Sequence, residues 1–574
     1  MNTQILIEDI HYTVSTTSDE EFEILRGVTL EIKAGSFVGI LGENGSGKTT
    51  LLRHINGILF PSQGRVLVNG MDTRQPENFR RIRSLVGMVF QNPENQIVAS
   101  TVEEDIAFGL ENKNLPTKEI QKAVAEQLIQ SGLEDAASHP PHLLSGGQIQ
   151  RLALAGVLAR QPQVILFDEP TSMLDPVTRR DFINHLFQLR DRGITIIYVT
   201  HHPEEVTQAD QIVVLQKGKV KLCGTPMQVF QQEKILYEMH LDVPPAQHLA
   251  GQFRSIGLRI PAHVMNESDL IHALPTYQRS QHLQQSSTRN LSSDYIISAH
   301  DVHYTYLSGT PLARKALTGA NLDVTRYHIH GIAGLNGSGK STLLQHLNGI
   351  LRPDKGTIKV EKLQLHDSNT PLLDVVRKVG LVFQSPESQF FEVYVGDEIA
   401  YGPKQFKLTD LRDRVKEAMT QVGLDFNRYK DRRLDTLSGG EKRKVALAST
   451  LVLNQDILLF DEPTAGMDPH SRREALALFH KLSALGKTIV ISSHQLDELA
   501  LVSQALSLMQ NGCVMYTSSK QANLFDVNSL TDAGLRPPIS VLVSQALVRK
   551  GWPLAGLDTS TPERLINAVR GMWL

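Results

Sequence analysis

Cysteine is nearly absent: the 574 residues contain two, Cys223 and Cys513, far apart in the chain. That excludes a disulfide framework or a cysteine-built zinc cage, and it points to a reducing compartment, the cytoplasm. Aromatic residues are sparse at 6%. A surplus of one charge is lacking too. Lys and Arg total 58 against 61 Asp and Glu, a net charge of −3, so bulk charge offers no grip on nucleic acid. No apolar run reaches the ~18 residues of a membrane-spanning helix. The opening "MNTQILIEDIHYTV" lacks the basic-then-apolar pattern of an export signal. What remains is the composition of a soluble globular protein, 41% hydrophobic and 21% charged, long enough for more than two compact units.

What is present is a repeat. "VFQNPENQI" from Val89 returns as "VFQSPESQF" from Val382. "LLSGGQIQRLALA" from Leu143 returns as "TLSGGEKRKVALA" from Thr436, and "VILFDEPTSMLDP" from Val164 as "ILLFDEPTAGMDP" from Ile457. Gln91 and Gln384, Ser145 and Ser438, Asp168 and Asp461, and His201 and His494 are each 293 residues apart, while Lys48 and Lys340 are 292 apart. So long a period is a duplicated domain, not a solenoid. "LDVPPAQHLAGQFRSIGLRIP" from Leu241 also resembles "LRPPISVLVSQALVRKGWPL" from Leu535. In both, a proline pair opens an apolar-periodic stretch that closes on glycine, the layout of a helix.

The expected organisation is a first α/β domain (1–232), a helical appendage (233–274), a polar Ser/Gln-rich linker (275–294), a second α/β domain (295–518) and a second appendage (519–574). Short apolar strands alternating with helical segments predict a largely parallel sheet in each α/β domain.

"GENGSGKTT" and "GLNGSGKST" both satisfy the P-loop pattern G-x-x-x-x-G-K-[ST]. The phosphate-binding candidates are Gly42, Glu43, Asn44, Gly45, Ser46, Gly47, Lys48, Thr49 and Thr50 in the first copy. In the second they are Gly334, Leu335, Asn336, Gly337, Ser338, Gly339, Lys340, Ser341 and Thr342. Glycines let backbone N–H groups turn inward around an anion, and the helix that follows adds its dipole. Lys48 and Lys340 would reach the β- and γ-phosphates of a nucleotide, and Thr49 and Ser341 would give a hydroxyl to Mg²⁺. Asp168 and Asp461 close apolar strands, a suitable place for a carboxylate that holds Mg²⁺. Glu169 and Glu462 follow them and are placed to orient and polarise an attacking water. His201 and His494 follow the last buried strand and are candidates for a γ-phosphate contact. His54 and His346 face away from phosphate and are packing or surface residues.

With "LSGGQ" at Leu144 and "LSGGE" at Leu437 in this order, the chain resembles the ATP-binding cassettes of ABC systems over nearly its whole length. The fold implied is two P-loop NTPase domains in tandem, each with a helical signature subdomain. The resemblance implies ATP and Mg²⁺ at two composite sites. One pairs Gly42–Thr49 with Ser438, Gly439, Gly440 and Glu441; the other pairs Gly334–Ser341 with Ser145, Gly146, Gly147 and Gln148. It implies that Gln91 and Gln384 sense Mg²⁺ and the membrane partner, and that Asp175 and Asp468 couple the sites. Tyr306 matches the adenine-stacking aromatic. Val14 stands at that place in the first copy, with Tyr12 and Tyr304 packing inward, so the first site is expected to hold ATP more weakly.

"RHINGILFPSQGRVLVNG" and "QHLNGILRPDKGTIKV" narrow the resemblance to the energy-coupling-factor branch. That branch implies uptake of a vitamin or metal ion. Its partners would be a transmembrane coupling protein and a small substrate-capturing membrane protein, with one copy of this chain at the cytoplasmic face of the membrane. Of the acids after the glutamines, Glu94, Glu103, Glu104 and Asp105, and Glu387, Glu392, Asp397 and Glu398, some are expected to pair with arginines of the coupling protein and the rest to form a solvated acidic face. A tandem ATPase of a sugar importer and a soluble, non-transport ABC protein stay open as alternatives.

Overall fold

The computed structural model describes residues 3–15, 21–113, 115–171, 174–277, 294–310, 313–367, 369–519 and 524–573. Most of the expected linker, 278–293, lies outside them, as does the side chain of Glu387. The chain forms two compact units. One holds Met1–Leu174, Thr178–His248 and Pro261–Asp269; the other holds Asp175–Val177, Leu249–Ile260 and Leu270–Leu574.

The first unit is built on a six-stranded sheet in the order Lys219–Gly224, Gln211–Gln216, Phe37–Gly42, Thr195–Val199, Val164–Asp168, Val86–Val89. The last five run parallel. Lys219–Gly224 adds antiparallel at the edge, through a turn whose Lys217 and Gly218 both have positive φ, as a tight hairpin requires. Strands covered on both faces read as continuous apolar runs. Phe37, Ile165, Phe167, Ile196 and Tyr198 pack on one face, with helices Gly146–Leu158 and Pro176–Asp191. Val38, Ile40, Leu166, Ile197 and Val199 pack on the other, against Leu51, Leu52 and Ile55 of helix Lys48–Ile55. Each fully buried aliphatic side chain contributes about 1.5–3 kcal/mol relative to exposure, so these layers hold the strand ends that carry the site.

The expected parallel sheet is there. A second, antiparallel sheet was not foreseen: Glu21–Lys33, Thr3–Ser15, Gln63–Val68 and Met71–Asp72 cover the face behind helix Lys48–Ile55. Register shifts interrupt the pairing of Thr3–Ser15 with its neighbour, which blurs the period-two pattern that marks a half-buried strand. Helices Val102–Glu111 and Thr117–Ser131 join Leu152 of helix Gly146–Leu158 around Ile106, Leu110 and Leu128 to make a helical subdomain.

The second unit repeats this plan. Its sheet runs Val379–Val382, Ile457–Asp461, Thr488–Ser493, Ile329–Ala333, Ala505–Gln510, Cys513–Ser519, with a four-stranded antiparallel partner. It also contains helices Ile539–Arg549 and Pro562–Trp573. As the proline–glycine pattern predicts, Pro538 precedes the first of these and Gly551, at φ +87°, follows it. Trp552 is buried between Tyr277 and Trp573, with ring centroids at 5.0 and 5.8 Å.

Candidate nucleotide site

Helix Lys48–Ile55 starts on Gly47, at φ +101°, with no side-chain cap and no acid in its first turn. Helix Lys340–Leu347 starts the same way on Gly339 at φ +103°. Elsewhere Thr101, Ser145, Thr225 and Ser438 close their helices with reciprocal capping boxes. The two P-loop helices thus leave their first N–H groups and positive dipole ends to an external anion. Added Cβ atoms on Gly42 and Gly47 would strike Leu215 O and Leu25, whereas Gly45 faces open space. Among the described residues, the buried hydroxyls of Ser46 and Ser338 have no hydrogen-bond partner. This cradle fits a phosphate chain.

Lys48 Nζ donates to Gly42 O at 2.7 Å and Glu43 O at 2.9 Å and lies 3.9 Å from Glu169. Lys340 Nζ donates to Gly334 O at 2.8 Å and Leu335 O at 3.0 Å and lies 3.4 Å from Glu462. Both ammonium groups are held beside the cradle by carbonyls, and anionic phosphate oxygens would be better acceptors.

Strand ends supply the rest. Thr49 Oγ1 donates to Asp168 Oδ1 at 3.0 Å, and Ser341 bonds Asp461. Burial pushes the Asp168 carboxyl up to about 6, partly offset by the Thr49 bond. A desolvated carboxyl beside a hydroxyl suits a divalent cation, whose charge would restore its ionised form. Asp461 is raised for the same reason, although Ser492 Oγ donates to it at 2.6 Å where the first copy has Val199.

Glu169 and Glu462 sit in the left-handed region at φ +48° and +47°, uncommon for non-glycine residues and typical of functional turns. Glu169 accepts from Gln91 Nε2 at 3.1 Å. His201 Nε2 lies 2.6 Å from Glu169 and 3.0 Å from Asn44 Oδ1. Both neighbours are acceptors, so the proton belongs on Nε2. Burial pushes the His201 ring below its ordinary value, and the Lys48 charge adds to this. Burial would raise Glu169, but His201 and then Lys48 hold it below the usual range. In the second copy His494 Nδ1 lies 3.0 Å from Glu462, which His494 and Lys340 likewise hold low against burial. Each copy therefore assembles a lysine, a hydroxyl, two acids and a histidine around one cradle.

The signature residues stand at helix starts. Ser145 N and Oγ both donate to Gln148 Oε1 at 2.9 Å, and Ser438 does the same to Glu441. Cβ atoms on Gly146, Gly439 or Gly440 would meet nothing within 4 Å. The backbone there is open, and packing within the copy does not demand glycine. The backbone carbonyl of Gln384 accepts from Arg443 at 3.1 Å.

His54 and His346 are fully buried, bond the carbonyls of Thr50 and Thr342, and pack edge-on against Tyr12 and Tyr304. Tyr306, partly exposed, places its hydroxyl 3.3 Å from Thr342 Oγ1 beside the cradle. Val14 pairs across the sheet with Phe22, which is 63% exposed. Sequence reading missed this aromatic, because only the register brings strand Glu21–Lys33 alongside Val14.

Four of the acids after the glutamines are engaged within the chain. Asp105 accepts from Val98 N and Ala99 N, Glu104 closes a capping box on Thr101, Glu398 accepts from Phe391 N and Glu392 N, and Asp397 pairs with Lys404. Asp105 and Glu398 thus bond amides of the loops that precede their helices, and only Glu104 serves the start of its own helix. The cleft of about 420 Å³ beside Gln96 carries Ile58, Val98 and Phe108 with Arg83 and Arg160.

The family model described as ABC transporter matches residues 25–172 and 317–465. A protein of Caldanaerobacter subterraneus subsp. tengcongensis, named as an ABC transporter ATP-binding protein, is 30% identical over 95% of this chain and 96% of its own. The energy-coupling factor transporter ATP-binding protein EcfA1 of Symbiobacterium thermophilum is 48% identical over 44% of this chain and 88% of its own. A solved structure, cbiO1 from Clostridium perfringens, part of the ABC transporter complex cbiONQ, is 37% identical over 44% of this chain and 100% of its own, with a TM-score of 0.38.

Proposed function

This chain belongs to the ABC transporter family, an ATPase whose hydrolysis is coupled to transport, and from that premise we propose that it energises an importer of the energy-coupling-factor type, carrying a vitamin or a metal ion. The observation that carries this reading is the completeness of both copies: each holds its own lysine, strand-end acid, glutamate and histidine around an uncapped helix start. EcfA1 supports the branch. Nothing in the site favours a sugar importer or a soluble ABC protein.

In this reading Lys48 and Lys340 leave their carbonyl partners for the β- and γ-phosphates, and Ser46 and Ser338 gain acceptors. Thr49, Asp168 and Gln91, and Ser341, Asp461 and Gln384, would hold Mg²⁺, which would neutralise charge on the phosphates. Glu169 and Glu462, kept ionised by their histidines, hold the attacking water in line and take its proton. His201 and His494 donate to the γ-phosphate as charge shifts. Ser145, Gly146 and Gly147, and Ser438, Gly439 and Gly440, would complete the opposite copy's site, since an open glycine-rich helix start is a second anion site. Among the described residues no helix is long and apolar enough to cross a membrane. The cargo would therefore pass through membrane partners, a coupling protein and a substrate-capturing protein, with this chain peripheral at the cytoplasmic face. The cleft at Ile58, Val98 and Phe108 is the docking place this reading favours.

Co-purification tests it. The tagged chain should bring down membrane proteins from detergent extract, and the reconstituted complex should take up a vitamin or metal ion in an ATP-dependent way. Glu169→Gln and Glu462→Gln should each slow turnover. Recovery of ribosomes or sugar-transport proteins instead would overturn the assignment.

A further inference from the structure

Each unit buries one more carboxylate that the reaction above does not use. Glu205, 3% exposed at its side chain, accepts three hydroxyls: Thr171 at 2.7 Å, Tyr198 at 2.9 Å and Thr200 at 2.5 Å. Thr171 lies two residues beyond Glu169, and Thr200 immediately precedes His201. Arg179, on helix Pro176–Asp191, sits 3.6 Å from the same carboxylate and donates to Leu174 O at 3.3 Å. Leu174 directly precedes Asp175.

The second unit rebuilds this arrangement with partly different residues. Glu498 accepts from Thr464, two residues beyond Glu462. Arg472 lies 3.1 Å from Glu498 and donates to Met467 O at 3.3 Å, next to Asp468. Ile491 stands where the first unit has Tyr198, and Ser493 bonds Gln495 N rather than Glu498. What both copies keep is a carboxylate tied to the segment after the water-orienting glutamate and, through an arginine, to the backbone before the coupling aspartate.

From this the geometry assigns Glu205 with Arg179, and Glu498 with Arg472, as positioning residues. Glu205 with Arg179 ties the strained glutamate turn and the residue before His201 to Leu174, which precedes Asp175; Glu498 with Arg472 ties the second glutamate turn to Met467, which precedes Asp468, so that a shift of the backbone before either aspartate is passed to the glutamate. The hydroxyls of Thr171, Tyr198 and Thr200 make that tie stiffer in the first copy. This rests on the roles given above to Glu169 and His201. Mere filling of a polar pocket would demand satisfied partners, but not ones drawn from just these loops.

The test uses the full chain with ATP. Glu205→Gln keeps the size and most hydrogen bonds but removes the charge that holds Arg179. A small misplacement of reacting groups costs tenfold to about 100-fold in rate, so kcat should fall by at least about tenfold, with KM and nucleotide affinity within about twofold. Arg179→Lys should restore part of what Arg179→Met loses. In a His201→Ala background Glu205→Gln should add little, because both act through one unit. Unchanged kcat, loss of affinity in step with kcat, or full additivity with His201→Ala would each overturn the relay. If His201→Ala itself leaves kcat untouched, the site roles fail and the relay falls with them. If His201→Ala acts and Glu205→Gln does not, only the relay falls. Should Glu205→Gln fold poorly, Tyr198→Phe, which removes one hydroxyl, is read by the same split.

Discussion

Phe22 illustrates how much one residue can alter a reading. In the proposed function Val14 would offer adenine only apolar contact, yet the ring paired with it is exposed on the strand that passes Gly47 through Ile24. Stacking on a base is worth about 1 kcal/mol or more, so Phe22→Ala should weaken ATP at the first site about fivefold and leave the second site unchanged. Nucleotide titration in a Lys340→Ala background reads the first site, and titration in a Lys48→Ala background reads the second. His330 makes a different residue-scale case. It is buried and bonds Ser507 Oγ at 2.8 Å, in a place where the first copy has Val38. Burial pushes its ring down from 6.5 to about 4. Between those values the unfolded chain binds the proton and the folded chain does not. Stability is therefore whole above about pH 6.5, falls as the pH drops, and levels off near pH 4, a loss of roughly 3 kcal/mol. His330→Val should flatten that slope in urea unfolding of the second unit followed from pH 7 to pH 4.5.

At the scale of elements, helix starts are closed in different ways. Thr101 and Thr225 close theirs with capping boxes, while the two P-loop helices start on a left-handed glycine with no side-chain cap. Helix Val395–Gln405 uses a third device: Glu398, from its first turn, bonds the N–H groups of Phe391 and Glu392 at 2.8 and 2.9 Å and is buried. That loop follows Gln384 and exposes Phe391 and Val393. Glu398→Ala would strand two amides and cost about 2–3 kcal/mol, visible as a lower urea midpoint. ATP binding by the chain should persist, because the Glu398 carboxylate bonds the amides of Phe391 and Glu392 and not a P-loop group. Continuous apolar runs and the glycine-to-helix pattern mark the parallel strands and the P-loop helices in the sequence. They could not announce which acids would be consumed by caps, since that depends on where each loop folds back.

At the scale of the molecule, the duplication repeats down to paired departures from ordinary backbone, as in Glu169 and Glu462. The second unit also gathers distant chain: Lys550 Nζ donates to the carbonyls of Ile271, His272 and Leu274, and Trp552 Nε1 to Pro275 O. The ammonium sits at the C-terminal end of helix Glu267–Ala273, where carbonyls lack partners and a cation is favoured. Lys550→Met should cost about 1–3 kcal/mol. The chain's two tryptophans, Trp552 and Trp573, both lie in this region, so their emission should shift to the red at lower denaturant in the variant.

The duplication, the two phosphate loops, the strand-end acids and the parallel-sheet plan follow from sequence alone, because each rests on residues close together in the chain or on a constant offset between copies. Local spacing is enough to put a lysine after glycines or an acid at a strand's end. The pairing of Phe22 with Val14, the gathering of Thr171, Thr200 and Arg179 on Glu205, and the internal use of Asp105 and Glu398 were decided only in three dimensions. Register and burial bring those groups together from separate segments. Once water is excluded a carboxylate must find donors, and the chain order does not say which it will find.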